Sequence, residues 1–132
     1  QWDASENSGF STTNPWLPVH PNSEKRNVAA QQENEHSFFH FTRSLIALRK
    51  ENSTLLRGEF IPLKDMPRGV LAYLRKSDEE TILVALNFSE NMKKLILPMK
   101  SWQILFSENR EDKNTKDALF LLPHEVIILK AN

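Results

Sequence analysis

Three aromatic side chains near the start of the chain are well suited to contact a ligand: Trp2, Phe10 and Trp16. They lie in a stretch rich in Ser, Thr, Asn and Pro, and their spacing fits neither a helix nor a strand. Such residues either anchor a long loop to a surface or line a ligand cleft, because aromatic faces stack well on sugar rings and loops often carry function. The residues alone leave both interpretations open.

The other groups capable of chemistry show no arrangement that predicts a catalytic or metal site. His36 and His40 share a helix face, but a zinc site needs a third ligand, and the HExxH pattern is missing. No GxSxG, glycine-rich phosphate loop or Cys–His pair occurs. The carboxylates fall in expected turns and on polar faces, and none interrupts an apolar strand end, where burial would shift its pKa. We therefore expect no catalytic residue, metal or cofactor.

Composition and length exclude several classes of protein. The 132 residues make one domain, or one small domain with a piece of another. Lys+Arg and Asp+Glu are both 17 without a charge run, which argues against nucleic acid or an anionic membrane as partner. No apolar run approaches the ~20 residues of a membrane span. The start at Gln1, without Met or a signal-like segment, suggests a piece of a longer protein. We expect a cytoplasmic location.

The stretch Ser37–Lys50 predicts the principal helix. Apolar residues at helical spacing form one stripe along it: Phe38, Phe41, Leu45 and Leu48. A second stripe beside it contains Phe39 and Ile46. Asn52, a residue that tolerates the left-handed conformation, is expected to stop the helix. A helix that is apolar around about half its circumference needs cover on more than one side, so if exposed it would favour a homodimer.

After Asn52 the apolar period changes from 3.6 to 2 and predicts short strands. Seven are expected: Leu55–Leu63, Val70–Arg75, Thr81–Phe88, Lys94–Leu97, Trp102–Phe106, Leu119–Leu122 and Val126–Leu129. Turn residues between them favour an antiparallel β-sandwich or a curled sheet. Trp102 and Tyr73 either pack in its interior or form a platform that stacks on a sugar.

Eight segments follow one another in a recognisable order, and the specific ones lie in the first half of the chain, while the strand half is generic by itself. They are QWD at 1–3, GF at 9–10, NPWLPV at 14–19, NV at 27–28, SFFHFTRSLIALRKE at 37–51, LLRGEF at 55–60, LVALNFS at 83–89 and LLPHEVIIL at 121–129. Essentially the whole chain resembles the C-terminal end of an α-glucosidase of glycoside hydrolase family 13. The similar group comprises oligo-1,6-glucosidase, trehalose-6-phosphate hydrolase and trehalose synthase. Ser8 departs from the pattern, since an alanine is usual before GF.

The resemblance implies a mainly β fold, with an antiparallel β-sandwich C-terminal domain preceded by a long loop and the last helix of a truncated (β/α)8 barrel. Residues 1–54 would end the catalytic barrel, as the loop after strand eight and the final helix at 37–50, and residues 55–132 would form the sandwich. Active sites of such barrels are built from the loops that follow the strands. The resemblance therefore implies that four residues line the substrate cleft: Trp2, Asp3, Phe10 and Trp16.

The resemblance also implies an activity for the parent protein. Family members act on α-glucosidic bonds of small oligosaccharides by a retaining mechanism, with an aspartate nucleophile and a glutamate acid/base. Those residues follow earlier barrel strands and match no carboxylate here, so the chain itself would be an inactive structural cap. Its expected partners are the saccharide substrate and the missing barrel domain. The alternatives are a carbohydrate-binding module and a non-catalytic relative, such as a transporter heavy-chain ectodomain.

Overall fold

The chain forms two compact units, Gln1–Leu48 and Arg49–Asn132, in a computed structural model that describes residues 1–99 and 101–132. The first unit is a loop with little regular structure followed by helices. The second is built mostly from antiparallel strands. Among the described residues, no helix has the length and apolar character needed to cross a membrane.

The first unit contains a short helix, α1, at Val28–Glu33, and most of a longer one, α2, at Phe38–Glu51. The Asn27 side chain begins α1 by accepting a hydrogen bond from the Ala30 N–H at 2.8 Å, which satisfies one of the unpaired amides of the first turn. At the start of α2, the Gln31 side chain accepts from the Phe39 N–H at 3.1 Å. The α2 helix lies where the apolar spacing predicts it.

The apolar stripes of α2 remain partly open to solvent. None of its described residues is buried, and Phe38 is 74% exposed. Phe41, Leu45 and Leu48 are only half-buried. The Phe38 and Phe41 rings stack with centroids 5.9 Å apart, which shields part of each ring.

The second unit contains, after the last residues of α2, a helix that the apolar pattern does not predict. This helix, α3, occupies Ser53–Arg57, so the strand expected at Leu55–Leu63 is wrong over its first part, and only Glu59–Pro62 forms a strand. Asn52 is extended rather than left-handed, and its side chain accepts a hydrogen bond from the Leu55 N–H at 2.9 Å. Asn52 therefore caps the start of α3, and this cap, together with the burial of Leu55, selects a helical turn.

In the described part of the chain, eight strands follow α3. They are β1 (Glu59–Pro62), β2 (Val70–Lys76), β3 (Thr81–Asn87), β4 (Lys93–Ile96), β5 (Trp102–Phe106), β6 (Asn114–Thr115), β7 (Ala118–Leu121) and β8 (Val126–Ala131). Six form an antiparallel sheet in the order β1-β2-β3-β8-β5-β6, and β4 pairs with β7 in a second sheet. Pro62 lies on the edge strand β1, which suits a residue that cannot donate a ladder hydrogen bond.

The core of the second unit combines residues from both sheets. The larger sheet contributes Ala72, Leu83, Ala85, Trp102, Ile127 and Leu129, and the β4–β7 side contributes Leu95, Leu97, Leu119 and Leu121. Alternate residues of β3 and β8 face this core, which is the period of two that the sequence shows. The prediction of a mainly β, antiparallel sandwich fold is confirmed.

Candidate functional site

The loop that carries the candidate site residues is tied to the start of α1 by backbone hydrogen bonds. The Val28 N–H donates to the Gln1 carbonyl at 3.1 Å, and the Ala29 N–H donates to the Trp2 carbonyl at 2.9 Å. These bonds use amides of the first helical turn, which have no partner inside the helix. The helix start therefore fixes the path of the first residues of the loop.

Two of the predicted site residues, Phe10 and Trp16, lie together on one cleft. The cleft has a volume of about 380 Å³ and its other lining residues are Gln1, Asn7, Ser8, Pro15, Leu17, Pro18, Val19 and His20. Phe10 is 71% exposed and Trp16 is 89% exposed. Rings this open retain free aromatic faces, the surface that stacks against the C–H groups of a sugar.

The other two predicted residues, Trp2 and Asp3, do not line this cleft. Trp2 is 59% exposed, and its backbone N–H donates to the Ser8 carbonyl at 2.9 Å. Asp3 is occupied within the loop, since its Oδ1 accepts hydrogen bonds from the Ser5 N–H at 2.9 Å and from the Ser5 hydroxyl. These bonds stabilise the charged form, so they lower the pKa of Asp3 below its ordinary value.

A second hollow lies next to the first and shares residues with it. It has a volume of about 470 Å³ and is lined by Ser5, Glu6, Asn7, Gly9, Phe10, Ser11 and Thr12. Phe10 and Asn7 line both hollows. Phe10 is therefore placed to meet a ligand in either hollow.

The side chains of two of the four histidines, His20 and His40, serve as hydrogen-bonding groups. A ring nitrogen of His40, Nε2, lies 2.9 Å from the Gln32 carbonyl, and Nδ1 of His20 accepts from the Asn22 N–H at 3.2 Å. Within residues 1–99 and 101–132, no group of three or more His, Asp or Glu residues is arranged to hold a metal ion. The cleft is suited to binding by stacking and hydrogen bonds.

The proposed sugar platform on the strands does not involve Trp102. This residue is fully buried, and its Nε1 donates to the Met99 carbonyl at 3.0 Å. A ring without exposed faces cannot stack on a ligand, so the interpretation as interior packing is correct. Tyr73 is half-buried, and its ring centroid lies 4.8 Å from that of Phe60.

One carboxylate contradicts the expectation that none interrupts an apolar strand end. Glu125 directly precedes β8 and is only 1% exposed. Its carboxylate pairs with the Arg110 guanidinium, with Nε and Oε1 2.5 Å apart, which satisfies the charge in the interior. Sequence spacing misses this pair because the partners lie on separate loops, and the one available signal was a charged residue flanked by LLPH and VIIL.

Comparisons with known proteins match the chain along its whole length. The α-amylase catalytic domain family matches residues 1–58, and the maltogenic amylase C-terminal domain family matches residues 59–128. The boundary between these matches, at 58/59, and the boundary between the compact units, at 48/49, fall on either side of the domain boundary expected at 54/55. That boundary stays a prediction.

Several curated and solved proteins are similar. The chain is 38% identical over 130 residues to a glucan 1,6-alpha-glucosidase of Streptococcus pneumoniae serotype 4, covering 98% of the chain and 24% of that protein. It is 40% identical over 99 residues to an oligo-1,6-glucosidase of Parageobacillus thermoglucosidasius. This match covers 74% of the chain and 17% of that protein. The crystal structure of a mutant isomaltulose synthase from Erwinia rhapontici NX5, in complex with its natural substrate sucrose, superposes with a TM-score of 0.86 at 34% identity. The match covers 100% of the chain and 24% of that protein.

The family matches, the relatives and the fold lead to one assignment. The chain spans 24% or less of the length of the relatives described above. Its first part corresponds to the end of an α-amylase-type catalytic domain, and its strand unit corresponds to the domain that follows. The chain belongs to glycoside hydrolase family 13, the α-amylase family, and is similar to the C-terminal part of its α-glucosidases.

Proposed function

We propose that the chain is the C-terminal part of a retaining α-glucosidase that acts on α-glucosidic bonds of small oligosaccharides. The observation that carries this proposal is the cleft on which Phe10 and Trp16 present open rings, in the segment matched by the catalytic-domain family. Aromatic rings beside a cleft suit the apolar faces of a glucosyl unit. The names of the relatives favour an α-1,6 linkage, so isomaltose is the first substrate to test.

In this proposal the chain binds saccharide and leaves bond cleavage to the rest of the enzyme. A retaining glycosidase needs two carboxyl groups about 5–5.5 Å apart, and the acid/base needs a raised pKa. Asp3, a carboxylate in the loop that carries the cleft residues, has a pKa lowered by the Ser5 hydrogen bonds. A carboxyl that stays ionised cannot protonate a leaving group at neutral pH. Asp3 therefore does not suit the acid/base role, and the proposal assigns the catalytic pair to other strands of the family's barrel.

The four candidate residues divide into two roles. Phe10 and Trp16 form a wall of the substrate cleft, while Trp2 and Asp3 hold the loop that carries them. The strand unit serves as a structural cap, and its buried Trp102 cannot act as a sugar platform. The partners in this proposal are the oligosaccharide and the barrel domain.

The division of labour is tested with the 132-residue chain and the full-length enzyme assayed side by side on p-nitrophenyl α-glucoside. The full-length enzyme is expected to release p-nitrophenol, and the 132-residue chain is expected to match a buffer blank. The β-anomer serves as the matched control substrate and should be inert to both proteins. Turnover of the α-anomer by the 132-residue chain would overturn the assignment of catalysis to other residues.

A further inference from the structure

The backbone just before Phe10 has an unusual conformation. Asn7, Ser8 and Gly9 are consecutive residues with positive φ, at 54°, 55° and 64°. The left-handed region is disfavoured for every residue with a β-carbon, and Asn tolerates it better than Ser does. A turn of this kind persists only where its surroundings determine it.

Two sets of hydrogen bonds hold the turn. The Ser8 carbonyl accepts from the Trp2 N–H at 2.9 Å and from the Asp3 N–H at 3.4 Å. The Asn7 side chain donates to the Ser11 carbonyl at 3.3 Å. Ser8 itself is only 3% exposed, so the turn is packed into the loop rather than lying on its surface. The backbone of Trp2 and Asp3 therefore holds the turn through the Ser8 carbonyl.

The Asp3 carboxylate closes the other side of the turn, against Gly9. A β-carbon built on Gly9 would lie 2.6 Å from Oδ2 of Asp3, closer than real β-carbons approach other atoms. Oδ1 of the same carboxylate is held by the Ser5 N–H at 2.9 Å and by the Ser5 hydroxyl. The carboxylate is thus fixed by Ser5 on one side and occupies, on the other, the space that only a glycine leaves free.

The turn that Asp3 packs against leads directly into Phe10. The Phe10 N–H donates to the Asn7 carbonyl at 3.1 Å, so the backbone of Phe10 is tied directly to the turn. Phe10 is 71% exposed and lines both hollows. Because its backbone is bonded to the turn, the conformation of the turn bears on the direction of its side chain.

We propose that Asp3 is a positioning residue for saccharide specificity: its carboxylate, packed against Gly9, sets the direction of the Phe10 ring toward the α-glucosyl substrate. Asp3 acts through Phe10 and does not touch the sugar. This inference rests on the proposed function, since it needs Phe10 to contact substrate. The QWD and GF segments would then act together, since Asp3 and Gly9, six positions apart, would both set the position of Phe10.

The test is a double-mutant cycle in the full-length enzyme, with isomaltose as substrate. Phe10→Ala is expected to raise KM by about threefold to tenfold with kcat little changed, the change expected when an aromatic contact is lost. Asp3→Ala is expected to raise KM to a similar degree. In the Phe10→Ala background, Asp3→Ala should add almost nothing, because the ring that it positions is gone. Asp112→Ala, which removes an exposed loop carboxylate in the strand unit, is the matched control and should leave KM unchanged.

The outcomes separate the two proposals. If Phe10→Ala leaves KM unchanged, the proposed cleft fails and this inference fails with it. If Phe10→Ala raises KM but Asp3→Ala does not, or if the two effects multiply, the cleft stands and the positioning role of Asp3 is overturned.

A second pair of variants keeps the inference testable if Asp3→Ala disturbs folding. Gly9→Ala places a methyl group against the Asp3 carboxylate and should raise KM, with the far-UV circular dichroism spectrum unchanged. Asp3→Asn keeps an oxygen that can accept from Ser5, so its KM should lie between those of wild type and Gly9→Ala. A Gly9→Ala enzyme with wild-type KM would overturn the inference.

Discussion

The guanidinium of Arg110 and the carboxylate of Glu125 form a two-pronged ion pair inside the strand unit. Nε lies 2.5 Å from Oε1, and Nη2 lies 2.8 Å from Oε2. The Leu122 N–H also donates to Oε2 at 2.7 Å, and the Ser107 hydroxyl donates to Oε1 at 3.2 Å. The pair therefore connects the loop after β5 to the turn before β8.

Glu125→Gln should destabilise the strand unit strongly. Glutamine has the same shape but no charge, so it leaves the Arg110 guanidinium, 17% exposed, without its counterion, and it turns one acceptor into a donor that faces other donors. We expect the free energy of unfolding in urea to fall by about 3 kcal/mol. Glu90→Gln, at an exposed carboxylate, is the control and should change it by less than about 0.5 kcal/mol. Equal effects of the two substitutions would contradict a structural role for the pair.

Glu80 should make the stability of the strand unit depend on pH. Partial burial raises its pKa, but hydrogen bonds from Lys130, Asn52 and Thr54 outweigh burial and lower the pKa below the ordinary 4.5. Because the folded-state pKa is the lower one, the stabilisation is present above about pH 4.5 and is lost as the pH falls through the folded-state value. Glu80→Gln should therefore flatten the decline of the unfolding free energy in acid. The exposed neighbour Glu79 offers a control, since Glu79→Gln should leave the pH dependence of the unfolding free energy as in wild type. If the unfolding free energy of Glu80→Gln fell in acid as steeply as that of wild type, Glu80 would not be the source of the pH dependence.

His124→Gly should stabilise the turn before β8. His124 has φ of 56°, a conformation that costs a residue with a β-carbon about 1–2 kcal/mol. Glycine relieves that cost but loses more backbone entropy on folding, which leaves a net gain of about 0.5 kcal/mol. Glu108→Gly, an exposed position without positive φ, should instead destabilise the protein. Thermal unfolding measures both, and a lower midpoint for His124→Gly would show that the turn is not strained.

The 132-residue chain should self-associate through α2 when it is studied without the rest of the enzyme. Phe38 and Ile46 are 74% and 50% exposed and line an apolar groove of about 480 Å³. Apolar surface of this kind favours a partner. Sedimentation velocity should show a dimer at high concentration, and a Phe38→Ser/Ile46→Ser variant should be monomeric. Phe88→Ser, at a 66% exposed ring on the strand unit, is the control and should still dimerise. A monomeric wild-type chain at every concentration would rule out the homodimer.

Periodic elements could be predicted from the sequence because their signal is local. The apolar spacing of α2 and the alternation in β3 and β8 predict elements that the structure contains. The order of short segments such as QWD, GF and NPWLPV predicted the family, and the comparisons confirm it. These signals can be read from a single sequence because each depends on residues that are close along the chain.

Features that depend on distant contacts or on one capping bond could not be predicted. Asn52 suits both a helix stop and a helix start, and only its bond to the Leu55 N–H decides between them. The two polar residues of β6 carry no strand pattern and pair with β5 through tertiary structure. At the candidate site, aromatic composition indicated Phe10 and Trp16, but the left-handed turn at 7–9 has a sequence signal only at Asn7 and Gly9, because Ser8 does not favour that conformation.

The central claim is that the loop of this chain forms a wall of an α-glucosidase cleft, and the kinetics of Trp16→Ala in the full-length enzyme test it most directly. Trp16 is 89% exposed, so its removal should cost little stability. With isomaltose we predict a KM raised about threefold to tenfold and a kcat within about twofold of wild type. Phe88→Ala, which removes an exposed ring on the strand unit, should leave KM unchanged. A Trp16→Ala enzyme with the KM of wild type would contradict the account.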